Sequence, residues 1–225
     1  MEKTDNIEKI LPYVTKASRY LGNEINSVKK DLSKTSLTFA LAFPDTYEIG
    51  MSHLGLHILY DVLNKKDDIA CERVFAPWPD MEKEMKESNL ILSSLESGLA
   101  LKDFDILGFS LEYELSYATV LKMLSLSDIP LLSKDRSNDS PLVIAGGPST
   151  LNPEPVADFF DAIVIGDGEE VILEISDTVK KWKNKKSDKK SLLNELSEIS
   201  GVYIPSFFNL EYNDNNTINK IIPLK

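Results

Sequence analysis

The chain has 225 residues, of which 42% are hydrophobic and 27% are charged, a composition typical of a globular protein with a buried core. Its formal net charge of −11 argues against a dedicated nucleic-acid binder, because a phosphate backbone attracts Lys and Arg. A single cysteine excludes an internal disulfide and an iron–sulfur site built only from cysteines of this chain.

No apolar run reaches the ~20 residues that a membrane span requires. The charged first ten residues, "MEKTDNIEKI", also lack the hydrophobic segment of a secretory signal. We therefore expect a cytoplasmic protein that does not enter a membrane.

Helical spacing over residues 5–21, with Asp5 as the N-cap, predicts an N-terminal helical extension over residues 1–34 that Pro12 interrupts. Five apolar runs then predict buried strands, at residues 37–43, 69–75, 104–110, 141–147 and 161–168. Helical patterns separate or follow them, at residues 54–65, 81–88, 113–126, 153–160 and 169–183.

This alternation of strands and helices predicts an α/β domain over residues 35–185. Because the strands are continuous apolar runs, we expect a parallel sheet that is covered on both faces. The lysine-rich stretch at 180–191 is interpreted as a helix end entering a linker. Residues 186–225 are expected to form a linker helix and an extended arm.

Four of the predicted strands end in short turn sequences, "FPD", "GFS", "AGGP" and "IGDGE". In an open α/β sheet, ligands bind where the loops at the carboxyl ends of the strands converge. The sequence therefore places a candidate ligand site at this edge.

The two histidines of the chain allow two interpretations. His53 and His57 are four residues apart and could chelate a metal on one helix face. However, no Glu follows His53, and no third ligand is evident. The alternative is a helix N-terminus that carries one polar and one packed histidine.

The glycine-rich loops "AGGPST" and "IGDGEE" fit neither the dinucleotide fingerprint nor the P-loop. Asp167, Glu169 and Glu170 would also repel a phosphate from the start of the last helix. The glycines either admit a bulky ligand close to the backbone or form tight turns only.

A phosphoacceptor receiver domain is rejected because no Lys follows the last strand. The single cysteine, Cys71, lies in a predicted strand and is expected in the core.

The strand-end loops, in this order, resemble the N-terminal region of the cobalamin-binding-type radical SAM proteins, with an uncharacterised branch of that superfamily as the closest match. The resemblance spans residues 10–208. It rests on "ASRYLGNEIN", "LAFPDTYEIGMSHLGLHILYDVLN", "ERVFAPWPDME", "FDILGFSLEYELSYATVLKML", "PLVIAGGPSTLNPEPVADFFDAIVIGDGEE" and "GVYIPSFF".

The resemblance implies a flavodoxin-like (Rossmann-like) domain whose five-stranded parallel sheet has the order 2-1-3-4-5. It also implies a corrinoid, cobalamin, laid across the carboxyl ends of the strands, with its nucleotide tail between the first and last loops. The residues implied in cofactor binding are Pro44, Asp45, Tyr47, Glu48, Met51, Ser52, His53, Ser110, Leu111, Gly146, Gly147, Gly166, Gly168 and Glu169.

One motif of the best-known cobalamin domains, Asp-x-His-x-x-Gly, is altered here. Met51 stands in place of the Asp and Leu56 in place of the Gly, so His53 lacks the carboxylate that supports a ligand histidine. We therefore expect a corrinoid without a protein nitrogen on its cobalt.

The CxxxCxxC motif, which holds the [4Fe–4S] cluster and S-adenosylmethionine in this superfamily, is absent from the chain. The resemblance thus implies that both belong to a radical SAM catalytic domain of the parent enzyme, acting in cis or in trans. By itself the chain is expected to bind rather than catalyse. The rival hypothesis is a degenerate domain that has lost the corrinoid and only docks on the catalytic domain.

Overall fold

The structure, a computed structural model, describes residues 4–185 and 187–224. Its main sheet has six strands in the order β2-β1-β3-β4-β5-β6. The first five strands are parallel, and β6 runs antiparallel to β5. The six strands are β1 (Leu37–Phe43), β2 (Ile69–Phe75), β3 (Ile106–Ser110), β4 (Leu142–Gly146), β5 (Ala162–Val164) and β6 (Val202–Tyr203).

Helices connect and flank these strands. They are α1 (Thr4–Ile10), α2 (Tyr47–Gly50), α3 (Leu54–Asn64), α4 (Pro79–Glu87), α5 (Tyr117–Leu126), α6 (Gly168–Lys185) and α7 (Lys189–Ser197). A separate antiparallel hairpin follows, made of β7 (Phe208–Tyr212) and β8 (Ile218–Pro223).

The sheet is covered on both faces, as the apolar strands predict. Along β1, Phe39 and Leu41 pack into a core with α3, α6 and α7. The intervening Ala40 and Ala42 pack into a second core with α4 and α5. This division follows from the two-residue period of a strand, which sends successive side chains to opposite faces.

The prediction of five strands in the order 2-1-3-4-5 was incomplete, because β6 extends the sheet beyond β5. A strand of two residues is too short to show a hydrophobic period, so β6 could not be predicted from the sequence. Residues 189–204 lie within the segment expected as a linker helix and arm, and they pack on the domain with Leu192, Leu196 and Ile204 buried.

The predicted interruption of the N-terminal helical segment at Pro12 is confirmed, although the part after Pro12 forms no α-helix. α1 ends at Ile10, and short 3-10 turns follow at Leu11–Tyr13 and Ala17–Arg19, because Pro12 has no amide hydrogen with which to continue an α-helix. Three parts of these predictions lie outside the described residues: the cap by the Asp5 side chain, residues 1–3 of the extension, and positions 186 and 225 of the arm. Within the described part of the chain, no helix has both the length and the apolarity to cross a membrane.

Candidate functional site

The loops expected to hold a ligand meet at one edge of the sheet. They follow β1, β3, β4 and β5, and these strands are parallel neighbours. Their carboxyl ends therefore point the same way, which is the arrangement that places ligand sites in open α/β sheets.

A cavity of about 260 Å³ opens at this edge, between the ends of β3, β4 and β5 and the first turns of α3 and α6. Its inner wall is hydrocarbon. That wall consists of Phe39, Leu41, Leu59, Ile144, Val164, Val171, Ile172 and Ile175. Its polar side chains are His53, Ser110, Glu112, Asp167 and Glu169.

Six of the ten glycines of the protein line this one cavity. They are Gly55, Gly108, Gly146, Gly147, Gly166 and Gly168. A Cβ atom added at Gly146 would have Val164, 3.8 Å away, as its nearest neighbour, and one added at Gly166 would meet nothing within 4 Å. A side chain at Gly146 would therefore take up open space rather than collide with the fold. At Gly166 the φ of +121° would strain any residue with a side chain, although there is space for one.

Gly147 is a different case, because the backbone itself requires glycine there. Its φ is +110°, and an added Cβ would lie 2.7 Å from the carbonyl oxygen of Leu111. Both the conformation and the contact exclude a larger residue. Gly147 thus fixes the turn after β4, whatever the cavity holds.

His53, Ser110 and Glu112 form a connected group at the cavity. The Nδ1 atom of His53 accepts a hydrogen bond from the Leu56 amide at 3.2 Å, which makes His53 the N-cap of α3. Its Nε2 atom lies 3.4 Å from Oε1 of Glu112, and the Ser110 hydroxyl donates to the same oxygen at 2.9 Å. Glu112 was not predicted, since one glutamate in a loop carries no sequence pattern.

The side chains of the two histidines have separate partners. The Nε2 atom of His57 lies 2.8 Å from the carbonyl oxygen of Met51, whereas His53 caps the helix. Among the described residues, no group of three or more His, Cys, Asp or Glu side chains could hold a metal ion. The interpretation of a helix N-terminus with two separate histidine roles fits this geometry.

Asp45 connects the loop after β1 to the loop after β3. Its Oδ2 atom accepts a hydrogen bond from the Tyr113 hydroxyl at 2.7 Å. This hydrogen bond to a carboxylate raises the pKa of Tyr113. Asp45 is therefore occupied in holding two loops together, and it does not line the cavity.

Tyr47 and Glu48 face the N-terminal segment instead of the cavity. The Tyr47 hydroxyl donates to Glu24 at 2.8 Å. Glu48 accepts from Lys16 at 2.7 Å and from Arg19 at 2.9 Å. These two cations lower the pKa of Glu48 to about 2.

Met51 is held by a buried arginine on the edge strand. The Arg73 side chain contacts the Met51 sulfur at 3.2 Å, Glu96 at 2.7 Å and Glu24 at 3.1 Å. Ser52 donates its hydroxyl to the carbonyl oxygen of Glu48 at 2.7 Å. Arg73 therefore fixes the position of Met51 in the loop that follows β1.

The fourteen residues expected to bind a cofactor fall into two equal groups. Those that line the cavity are His53, Ser110, Gly146, Gly147, Gly166, Gly168 and Glu169. Those that do not line it are Pro44, Asp45, Tyr47, Glu48, Met51, Ser52 and Leu111.

A larger cavity of about 420 Å³ lies elsewhere, between the N-terminal segment, the end of β2 and α4. Tyr47, Trp78 and Met81 are among the residues that line it. This cavity was not predictable from the sequence, because its walls come from segments far apart in the chain.

Comparisons with known proteins give the chain a family. The model of the family described as "Radical SAM proteins, N-terminal" matches residues 55–205, about two thirds of the sequence. An uncharacterized protein of Methanocaldococcus jannaschii is 25% identical over 191 residues, covering 83% of this chain and 32% of that protein. The chain thus spans about a third of the length of this curated relative, and no solved structure matches significantly. The chain belongs to the family of radical SAM protein N-terminal regions.

Proposed function

We propose that this chain is the corrinoid-binding domain of a radical SAM enzyme, with a flavodoxin-like sheet that carries a cobalamin-type cofactor on its carboxyl edge. The tail of the cofactor would enter the 260 Å³ cavity. The observation that carries this proposal is the gathering of six of the ten glycines around that one cavity. Glycines at a strand edge allow a ligand to approach the backbone closely.

The size of the cavity favours one end of a large molecule. Sites that enclose a whole drug-sized ligand measure roughly 300–1,000 Å³, and this cavity of about 260 Å³ is smaller. It also lies open to the loops of the sheet edge, where the rest of a large ligand could lie. An apolar interior with polar groups at one side suits a molecule whose buried end is apolar.

The residues of this chain would bind and orient the corrinoid. Glu112 and Glu169 offer carboxylate oxygens, which accept hydrogen bonds from amide groups such as those on the rim of a corrin ring. Gly146 and Gly166 leave the space into which the tail would fit. When bound, the corrinoid would supply a cobalt centre, and His53 would act as the cap of α3 beside it.

The family implies a [4Fe–4S] cluster and S-adenosylmethionine in the parent enzymes. Cys71, the single cysteine, lies in β2 and is buried, and burial raises the pKa of its thiol. Both features keep a thiol from acting as a ligand or nucleophile. We place the cluster on a catalytic domain that acts with this chain in cis or in trans.

The proposal is tested with the purified chain and hydroxocobalamin. After incubation and desalting, the visible spectrum should show one corrinoid retained per chain. The Gly146→Val variant, in which the added side chain enters open space near the cavity, should retain less. A desalted protein without corrinoid absorbance would contradict the proposal.

A docking role is the second candidate, and one observation favours it. Large apolar side chains are exposed in the segments that follow the strands at the carboxyl edge: Ile49, Leu54, Trp78, Tyr113, Leu115, Leu151 and Ile165. Exposed apolar surface of this kind marks interaction sites. Under this candidate, the double variant Leu115→Asp/Leu151→Asp should weaken association with the catalytic part of the parent enzyme, and the chain should retain no corrinoid.

A further inference from the structure

The 420 Å³ cavity between the N-terminal segment, the end of β2 and α4 has the size of a complete small-molecule site, since such sites measure roughly 300–1,000 Å³. We propose that it binds a neutral aromatic molecule that carries a hydrogen-bond acceptor. No described residue lines both this cavity and the 260 Å³ cavity. The inference therefore goes beyond the proposed function and does not depend on it.

The walls of the cavity are joined by specific contacts. The N-terminal segment contributes Arg19 and Tyr20, the turn after β2 contributes Trp78, and residues 89–95 close a third side. Arg19 is held by Glu48 at 2.9 Å, and the Trp78 amide donates to the Tyr20 hydroxyl at 3.1 Å. The N-terminal segment is thereby fixed as one wall of the cavity.

Four aromatic side chains line the cavity: Tyr20, Tyr47, Phe75 and Trp78. The rings of Tyr47 and Phe75 pack edge to face, with their centroids 5.5 Å apart. Tyr20 and Tyr47 are half-buried and Trp78 is 44% exposed, so these three rings retain surface for a ligand. Because aromatic pairs contribute beyond the area that they bury, an aromatic ligand gains more here than an aliphatic one of equal size.

The charged side chains that line the cavity already have partners. Arg19 pairs with Glu48 at 2.9 Å, and Lys102 pairs with Asp128 at 2.8 Å. Asp103 also interacts with another group of the protein. A charged ligand would lose hydration on entry without gaining an unpaired counter-ion among the described lining residues. The cavity therefore favours a neutral ligand.

Hydroxyl groups supply the cavity with hydrogen-bond donors. Thr46 and Ser93 line it and are half-buried, and neither hydroxyl has a hydrogen-bond partner among the described residues. The Tyr20 hydroxyl accepts from the Trp78 amide, which leaves its own proton to donate. Hydroxyl protons of this kind bind a carbonyl oxygen or a ring nitrogen, so the ligand should carry such an acceptor.

The test measures the binding of four matched probes to the full chain by equilibrium dialysis. 2-Acetylnaphthalene is neutral and aromatic and has a carbonyl acceptor. 2-Naphthoate replaces the acetyl group by a charge, 2-ethylnaphthalene lacks the acceptor, and 2-acetyldecalin lacks the aromatic rings. We expect one 2-acetylnaphthalene per chain, bound at least about tenfold more tightly than 2-naphthoate and several-fold more tightly than the other two probes.

Each probe can overturn one part of the inference. Absence of 2-acetylnaphthalene binding would overturn it entirely. Binding of 2-naphthoate as tight as that of 2-acetylnaphthalene would contradict the neutral ligand, and equal binding of 2-ethylnaphthalene or 2-acetyldecalin would contradict the acceptor or the aromatic ring. None of these results bears on corrinoid retention, which is measured separately with hydroxocobalamin.

Two pairs of variants locate the site. Ser93→Phe places a ring in the cavity and should weaken 2-acetylnaphthalene binding at least about tenfold, whereas Ser88→Phe, exposed at the end of α4 and outside the lining, should not. Trp78→Ala should weaken binding several-fold, and Tyr13→Ala, 71% exposed in the N-terminal segment and outside the lining, should leave it unchanged. Thermal melting establishes that each variant is folded, and the second pair decides if Ser93→Phe is not. Wild-type affinity in a folded Ser93→Phe or Trp78→Ala variant would show that the probe does not occupy this cavity.

Discussion

The Nδ1 atom of His53 accepts a hydrogen bond from the backbone amide of Leu56 at 3.2 Å. A neutral imidazole that accepts at Nδ1 carries its proton on Nε2, and here Nε2 faces Glu112 at 3.4 Å. Both ring nitrogens therefore have contacts within the chain, Nδ1 with the Leu56 amide and Nε2 with Glu112. This geometry opposes the use of His53 as a cobalt ligand.

Replacing His53 by Asn should leave the visible spectrum of the bound corrinoid unchanged, because Asn can also cap a helix. His53→Ala should give the same spectrum and lower the free energy of unfolding by about 1 kcal/mol, the usual cost of a lost cap. Spectra of both variants and of the wild type, recorded at equal occupancy, check this. A shift of the cobalt bands in both variants would show that His53 is the axial ligand.

Substitutions at neighbouring glycines should separate ligand binding from folding. Gly146 ends β4 with a strand conformation, and a Cβ there has no neighbour closer than 3.8 Å. Gly146→Val should therefore abolish corrinoid uptake while the melting temperature stays within a few degrees of the wild type.

Gly147→Val is the contrasting variant, and it should destabilise the fold. A residue with a side chain is strained at a φ of +110°, and its Cβ would collide with the Leu111 backbone. Thermal melting beside corrinoid binding distinguishes the two glycines. Full corrinoid uptake by Gly146→Val would mean that this glycine serves only the turn.

Removal of the Arg73 side chain should destabilise the protein by about 3–5 kcal/mol, because it leaves the buried Glu96 without its 2.7 Å partner. Urea unfolding at neutral pH measures this loss in Arg73→Met. The double variant Arg73→Met/Glu96→Gln removes both charges and should recover part of it.

The stability of the single variant Arg73→Met should also depend on pH. Burial already raises the pKa of Glu96 and Arg73 opposes that shift, so loss of Arg73 raises the pKa further. A carboxyl group with a raised folded-state pKa stabilises the fold as pH falls, because the folded state then binds the proton more tightly than the unfolded state. The loss of unfolding free energy in Arg73→Met, relative to the wild type, should therefore become smaller as the pH is lowered from 8 to 5. A deficit that is independent of pH would contradict this account.

The N-terminal segment should detach from the first loop in acid. Lys16 and Arg19 lower the pKa of Glu48 from its ordinary 4.5 to about 2, so their contribution is complete above pH 4.5 and is lost as the pH falls toward 2. Trp78, over which the Arg19 guanidinium lies at 4.7 Å, reports the change by fluorescence in a Trp182→Phe background. In Glu48→Gln the segment should already be more sensitive to proteases at pH 7, and equal sensitivity would count against the contact.

Patterns within one segment were predictable from the sequence. β1 and β2 have the predicted bounds, 37–43 and 69–75, because each is rich in apolar residues and is followed by a proline-containing turn. The strand predicted at residues 161–168 was too long. The glycines after Val164 continue the apolar pattern of the sequence, but they do not continue the hydrogen-bonded pairing of β5 with β4.

Side-chain directions in the loops were not predictable. Tyr47 and Glu48 were expected at the ligand because they follow β1, but they lie on the four-residue helix α2 and turn toward Glu24, Lys16 and Arg19. Which way such a short helix faces depends on partners more than twenty residues away in the chain. The contact of Glu112 with His53 is equally non-local.

The position of the cobalt atom tests the central claim most directly. Crystals of the chain grown with hydroxocobalamin can be measured at the cobalt absorption edge, where the anomalous signal locates the metal. The account predicts one cobalt peak above the loops at 44–53 and 110–114, with tail density in the cavity between α3 and α6. A cobalt peak at the 420 Å³ cavity, or crystals without a cobalt peak, would contradict it.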